Sequence, residues 1–195
     1  MESLAPLAVY AFVSSITPGP NNMMLTTSGL RFGFVRTVPH ILGVSTGFCT
    51  LLALCAAGVG QLVGAAPALQ LALKLVGSAY LLHMAWRLRS LSAAPPDEEL
   101  GTPMSFAAAW LFQFVNPKGW LMAVTSAAAF LPPIHPVALS IAAYCVVFVG
   151  VGLPCLCIWA GAGAALREQL LKPSWQRGVG LAMAALTLYA AASVW

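Results

Sequence analysis

Two short segments carry residue types that stand out in an otherwise apolar chain: Thr17-Pro18-Gly19-Pro20-Asn21-Asn22 and Asn116-Pro117-Lys118-Gly119. Proline lacks an N–H and collides with the preceding turn, so neither segment continues an unbroken helix. Asparagine followed by proline suits an N-cap and a first helical position. New half-helices are therefore expected to begin at Pro20 or Asn21 and at Pro117. A half-helix N-terminus presents free N–H groups and partial positive charge, which favours a carboxylate. Lys118 adds a full cation in the same layer. The chemistry on offer is recognition of a small anionic or zwitterionic solute by Thr17, Pro18, Gly19, Pro20, Asn21, Asn22, Asn116, Pro117 and Lys118.

The elements that must position these residues follow from composition. The chain has 195 residues, 60% hydrophobic and 7% charged, with a mean hydropathy of +0.87. Soluble domains carry about 25% charged residues. So little charge does not cover a water-facing surface, which excludes soluble globular, nucleic-acid-binding and disordered classes. The apolar runs are continuous and rich in Ala, Leu and Gly, without the period-two alternation of a transmembrane β-barrel. At about 20 residues per span the chain holds about six helices. Their expected ranges are 4–29, 38–63, 68–88, 104–131, 137–165 and 176–194, in a single membrane domain over residues 1–195. The expectation is thus an all-α integral membrane protein whose first and fourth helices are broken by proline. No basic segment precedes the first apolar run, so that helix is expected to be retained rather than cleaved.

Basic residues set the orientation. Arg31 and Arg36 lie in the first connection, Arg87 and Arg89 at the end of the third helix, and Arg167, Lys172 and Arg177 in the fifth connection. The other connections and both ends have none, so odd connections are expected to be cytoplasmic and both termini outside. The polar segment 89–103, with Asp97, Glu98 and Glu99, is the one linker. It separates a first repeat (about 4–88) from a second (about 104–194). Three spans per half place the second half in the opposite sense, the inverted-repeat plan of many secondary transporters. A six-residue Tyr-to-Trp spacing recurs as Tyr80/Trp86 and Tyr189/Trp195.

Pro18 lies about fourteen residues, or roughly 21 Å, from the outer end of its span. Non-helical backbone at that depth needs protein or a cavity around it. A simple packing kink is the bland alternative, and two matched breaks with polar residues beside them weigh against it. An ionisable residue at this depth is read as functional by default, which singles out Lys118. Ser14, Thr17, Asn21 and Ser28 share one helical face, and His40, Gly43, Gly47 and Thr50 another. For the glycines, close helix packing is the favoured reading. Lys74 is expected to snorkel, and His40 and His83 to lie near cytoplasmic interfaces. No Asp or Glu falls within a span, so proton coupling would rest on Lys118, His40, His83 or the solute's own titratable group. The five cysteines lie in apolar runs as packing residues, and no metal or other cofactor is implied.

At these motifs the chain resembles the LysE/RhtB family of bacterial amino-acid exporters. The matching residues are Thr17-Pro18-Gly19-Pro20, then Gly33, Gly43 and Gly47, and then Phe114-Val115-Asn116-Pro117-Lys118, in order along a chain of the family's usual length. The resemblance implies a multi-pass inner-membrane exporter of amino acids or derivatives, driven by the proton gradient. Thr17–Asn22 and Leu111–Asn116 look most like the cysteine/O-acetylserine exporter branch. With no carboxylate in a span to pair a side-chain ammonium, a dedicated lysine exporter is disfavoured. A channel, or a subunit of a larger membrane complex, remains the alternative, and a homo-oligomer is compatible with either. A thiol–disulfide electron conductor would need cysteines near the prolines of the first and fourth spans, which have none. An intramembrane protease would need a positioned Ser–His pair, and Ser78 and His83 are five apart on one helix and face different ways.

Overall fold

The computed structural model describes residues 4–60, 65–89, 102–167 and 173–192. These form eight α-helices and a short 3-10 turn. In chain order they are α1 (Ala5–Ile16), α2 (Pro20–Phe32), α3 (Phe34–Ala56), α4 (Pro67–Arg89), α5 (Phe106–Phe112), the 3-10 turn Gln113–Val115, α6 (Pro117–Phe130), α7 (Val137–Ala165) and α8 (Pro173–Ala192). Most of the expected linker, with Asp97, Glu98 and Glu99, falls outside the described residues, as do Lys172 and Trp195.

Both proline breaks form where the chemistry of the residues requires them. α1 ends at Ile16 and α2 starts at Pro20, while Asn116 is extended (φ −83°, ψ 105°) and α6 starts at Pro117. α3 and α7 are each unbroken and apolar enough to cross a membrane. One expectation needs correction. The second helix begins at Phe34 rather than 38, because the first connection is a single residue. Gly33 has φ +80°, and its N–H donates to the Gly29 carbonyl at 2.8 Å, so the chain reverses in one left-handed step. Arg31 and Arg36 therefore sit on helices instead of in a loop.

α3 packs against both α5 and α6, and α7 against both α1 and α2. α4 packs on α8, and the long α3 and α7 cross each other. Glycines set the closest approaches. A Cβ on Gly47 would come within 2.7 Å of the Trp110 carbonyl oxygen, and one on Gly43 would overlap that of Phe106. The small-residue face of α3 thus binds the backbone of α5, as close packing predicts.

Two apolar clusters form, one toward each end of the bundle. The first joins Leu7 and Ala11 of α1, Leu51 and Leu52 of the second half of α3, Ala123 of α6, and Tyr144 and Phe148 of the first half of α7. Tyr10 packs its ring on Phe130 (centroids 5.3 Å) and Phe148 (6.3 Å) beside this cluster. The second joins Leu25 of α2, Ile41 and Val44 of α3, Ala109 of α5, and Leu156 and Ala160 of α7.

Candidate functional site

A broken helix inside an apolar protein must find partners for the carbonyls it releases. At the first break every carbonyl from residue 13 to 19 has one. Val13 O accepts from the Thr17 N–H (3.2 Å), and Ser14 O from the Thr17 hydroxyl (3.1 Å). Asn22 Nδ2 donates to Ser15 O and Thr17 O, both at 2.8 Å. Trp159 Nε1, on α7, donates to Ile16 O at 3.2 Å. Lys118 Nζ, reaching across from α6, donates to Thr17 O (3.0 Å), Thr17 Oγ1 (3.0 Å) and Pro18 O (3.2 Å). Gly19 O opens α2 by accepting from Met23 N.

Gly19 has no side chain because Lys118 passes over it. A Cβ there would lie 2.7 Å from Lys118 Cδ and 2.9 Å from Nζ. The lysine is long and flexible, so Gly19→Ala should leave the fold intact but displace the ammonium from Thr17 and Pro18. We expect thermal stability in detergent within about 0.5 kcal/mol of wild type, together with a clear loss of transport.

The second break is built by the same logic with different residues. Trp120 Nε1 donates to Phe114 O at 2.9 Å, and Asn116 O accepts from Trp120 N at 3.1 Å to open α6. Gly77 of α4 packs directly on the Pro117 ring. Gln113, fully buried in the 3-10 turn, forms a reciprocal amide pair with Asn21: Asn21 Nδ2 donates to Gln113 Oε1 (2.8 Å), and Gln113 Nε2 to Asn21 Oδ1 (3.1 Å). Asn116 is only 2% exposed, and its Oδ1 has no hydrogen-bond partner among the described residues.

Between the breaks lies a cleft with about 580 Å³ of empty space, part of it open to the exterior. Asn21 and Asn22 at the start of α2, and Asn116, Lys118 and Gly119 at the start of α6, all line it. The N–H groups of Asn21, Asn22, Lys118 and Gly119 precede the first intrahelical bond of their helices. Ser14, Ser15 and Ser45 add hydroxyls, while Phe48, Met122, Phe148 and Leu156 make the rest of the wall apolar. The described residues include no Asp or Glu, so no carboxylate among them faces the Lys118 ammonium; three neutral oxygens do.

Of the residues singled out in the sequence, Gly19, Pro20, Asn21, Asn22, Asn116 and Lys118 come together on this wall. Thr17 and Pro18 hold the lysine, and Pro117 fixes the start of α6 against α4. The polar stripes divide. Ser14 and Asn21 reach the cavity, whereas Ser28 bonds to Thr37 (3.0 Å) on α3. Gly43 and Gly47 face α5, and α3 presents Val44, Ser45, Phe48 and Leu52 to the cavity instead. His40 is packed inside the protein. It is 2% exposed and neither ring nitrogen has a partner among the described residues, while His83 is exposed on α4. Cys55, Cys145 and Cys155 are buried in the packing, and Cys49 and Cys157 are half-buried. Sequence reasoning missed Gln113, Trp120 and Trp159. Only the polarity of Gln113 inside an apolar run hinted at a role.

A family model described as LysE type translocator matches residues 12–194. The cysteine/O-acetylserine efflux protein of Escherichia coli O157:H7 is 30% identical over 194 residues, covering 98% of this chain and 96% of that protein. The protein of the same description from Salmonella paratyphi A is 33% identical over 131 residues, covering 67% of this chain and 66% of its own length. No solved structure matches the chain. Translocators of this kind are membrane proteins that move solutes and are not enzymes. The apolar composition, the two matched breaks and these relatives agree: the chain belongs to the LysE-type translocator family.

Proposed function

We propose that the protein exports small neutral amino acids or their derivatives, of the cysteine or O-acetylserine type, across the bacterial inner membrane. The observation that carries this reading is the cavity wall, where Lys118 and two half-helix N-termini meet without a carboxylate among the described residues. A zwitterion supplies what the wall lacks. Its carboxylate meets the N–H groups of α2 and α6 and the Lys118 ammonium, and its own ammonium meets the unpartnered Asn116 Oδ1. The apolar remainder of the wall suits a short, uncharged side chain. The efflux activity named for the relatives supports the same substrate class.

Two features support six spans as inverted repeats, and the basic residues gathered at the odd connections support a cytoplasmic side there with both termini outside. Exchanging α1 with α5, α2 with α6 and α3 with α7 converts the first apolar cluster's set of helix halves into the second's. The same exchange maps the packing of α7 on α1 and α2 onto that of α3 on α5 and α6. Export is driven by the proton gradient. Among Lys118, His40 and His83, the buried and unpartnered His40 is the group best placed to carry the proton. His40→Asn should therefore leave downhill flux but abolish its dependence on the pH gradient, whereas His83→Gln should keep both. The exposed side chains of Val35, Leu111, Leu121 and Val146 face lipid; a homo-oligomer would use part of that surface.

The test is efflux from proteoliposomes preloaded with a panel of amino acids, with and without a pH gradient. Flux of small neutral members is expected. Absence of flux for every zwitterion would overturn the reading.

A further inference from the structure

The cavity is flanked on its α1/α6 and α2/α5 sides by unequal packing. On the α1/α6 side the cluster is aromatic and cross-bonded: Tyr10 Oη pairs with Thr125 Oγ1 (2.7 Å), and Tyr144 Oη with Ser126 Oγ (2.5 Å). Phe48 and Phe148 pack edge to face (5.8 Å) directly at the cavity wall. On the α2/α5 side the buried cluster contains no aromatic ring. The link there between the two broken helices is the reciprocal amide pair of Asn21 and Gln113.

We propose that the Asn21–Gln113 pair is the latch of a gate on the α2/α5 side of the cavity, and that solute passes on that side when the pair parts. The inference rests on the transporter reading and adds to it a residue that reading does not use. Three observations support it. Asn21 faces the cavity, so it meets whatever occupies the site. Gln113 has no exposure to solvent, so while the pair is closed only protein groups satisfy it; its Nε2 is also held by Ala109 O at 2.9 Å. The backbone after Gln113 is a 3-10 turn followed by the extended Asn116, an irregular segment able to absorb a change of angle between α5 and α6. A pair of neutral amides separates without charge separation, and each member can exchange its partner for a carboxylate or an ammonium. That makes it a better latch than an ion pair for a site meant to open repeatedly.

Cys157 reports on this gate, since it is half-buried against the α2/α5 cluster, while Cys55 and Cys145 are buried in the opposite one. The experiment measures maleimide modification of each native cysteine by peptide mass spectrometry in the purified protein. Gln113→Leu removes the pair at similar volume, and Asn21→Leu removes it from the other member. Each should accelerate Cys157 modification by about tenfold or more, the scale of losing one or two buried hydrogen bonds, with Cys55 and Cys145 unchanged. The exchanged pair Asn21→Gln with Gln113→Asn should restore the slow rate. An unchanged Cys157 rate in both single variants would overturn the proposal. So would an equal acceleration at all three cysteines, which would make the pair a general structural contact. Labelling needs no flux, so its outcome is separate from the outcome of the transport assay.

Discussion

Lys118→Met is expected to insert into the membrane and purify as a folded protein, yet to lose transport by on the order of 100-fold. That is the expectation from the loss of one or two charge-assisted hydrogen bonds, worth about 1.5–3 kcal/mol each, at about 1.4 kcal/mol per factor of ten. Methionine matches most of the lysine's volume, so no large cavity forms. What disappears is the ammonium that joins α6 to the Thr17 and Pro18 carbonyls. Thr17 O keeps its bond from Asn22, so the first break loses only the capping of Pro18 O and of the Thr17 hydroxyl. The fold should therefore survive and the site should not. Arginine is expected to substitute poorly, because its planar fork does not reproduce the compact ammonium that reaches Thr17 O, Thr17 Oγ1 and Pro18 O together. Asn116→Ala is the companion variant, removing the lone acceptor at the start of α6. It should weaken export without impairing insertion.

Gly163→Ala and Gly29→Ala act on the fold rather than on the site. A methyl group on Gly163 would overlap the Thr26 carbonyl of α2, and one on Gly29 would overlap the Ala160 carbonyl of α7. Backbone cannot step aside as a side chain can, so the two helices must separate. Overpacking of this kind costs about 1–3 kcal/mol, occasionally more. Each variant should therefore melt well below wild type in detergent, and Gly163→Leu should fail to accumulate. The double alanine variant should cost less than the two singles added, because one separation of α2 from α7 relieves both clashes. Gly178, with nothing within 4 Å of an added Cβ, is the neutral control.

The breaks were legible because proline and glycine act locally: Pro20 and Pro117 begin helices for reasons contained within a few residues of each. The identities of the wall residues were legible for the same reason. What completes the site was not. Gln113 meets Asn21 across 92 residues, and Trp159 caps Ile16 across 143, distances over which no periodicity or spacing in a single sequence has force. The burial of His40 was not legible, because a histidine three residues before Gly43, at the start of an apolar run, reads as a helix end. The Gly33 pivot moves that helix end back to Phe34 and carries His40 inside. The glycines of α3 were correctly read as packing positions, but their partner, the backbone of α5, became visible only in three dimensions.

The central claim is that Lys118 and the two half-helix N-termini hold a substrate carboxylate. The most direct measurement compares serine with its carboxamide and with ethanolamine as competitors of cysteine efflux in proteoliposomes, in wild type and Lys118→Met. Serine should compete in wild type while the two compounds lacking a carboxylate do not, and the advantage of serine should vanish with the lysine. Equal competition by all three in wild type would contradict the account.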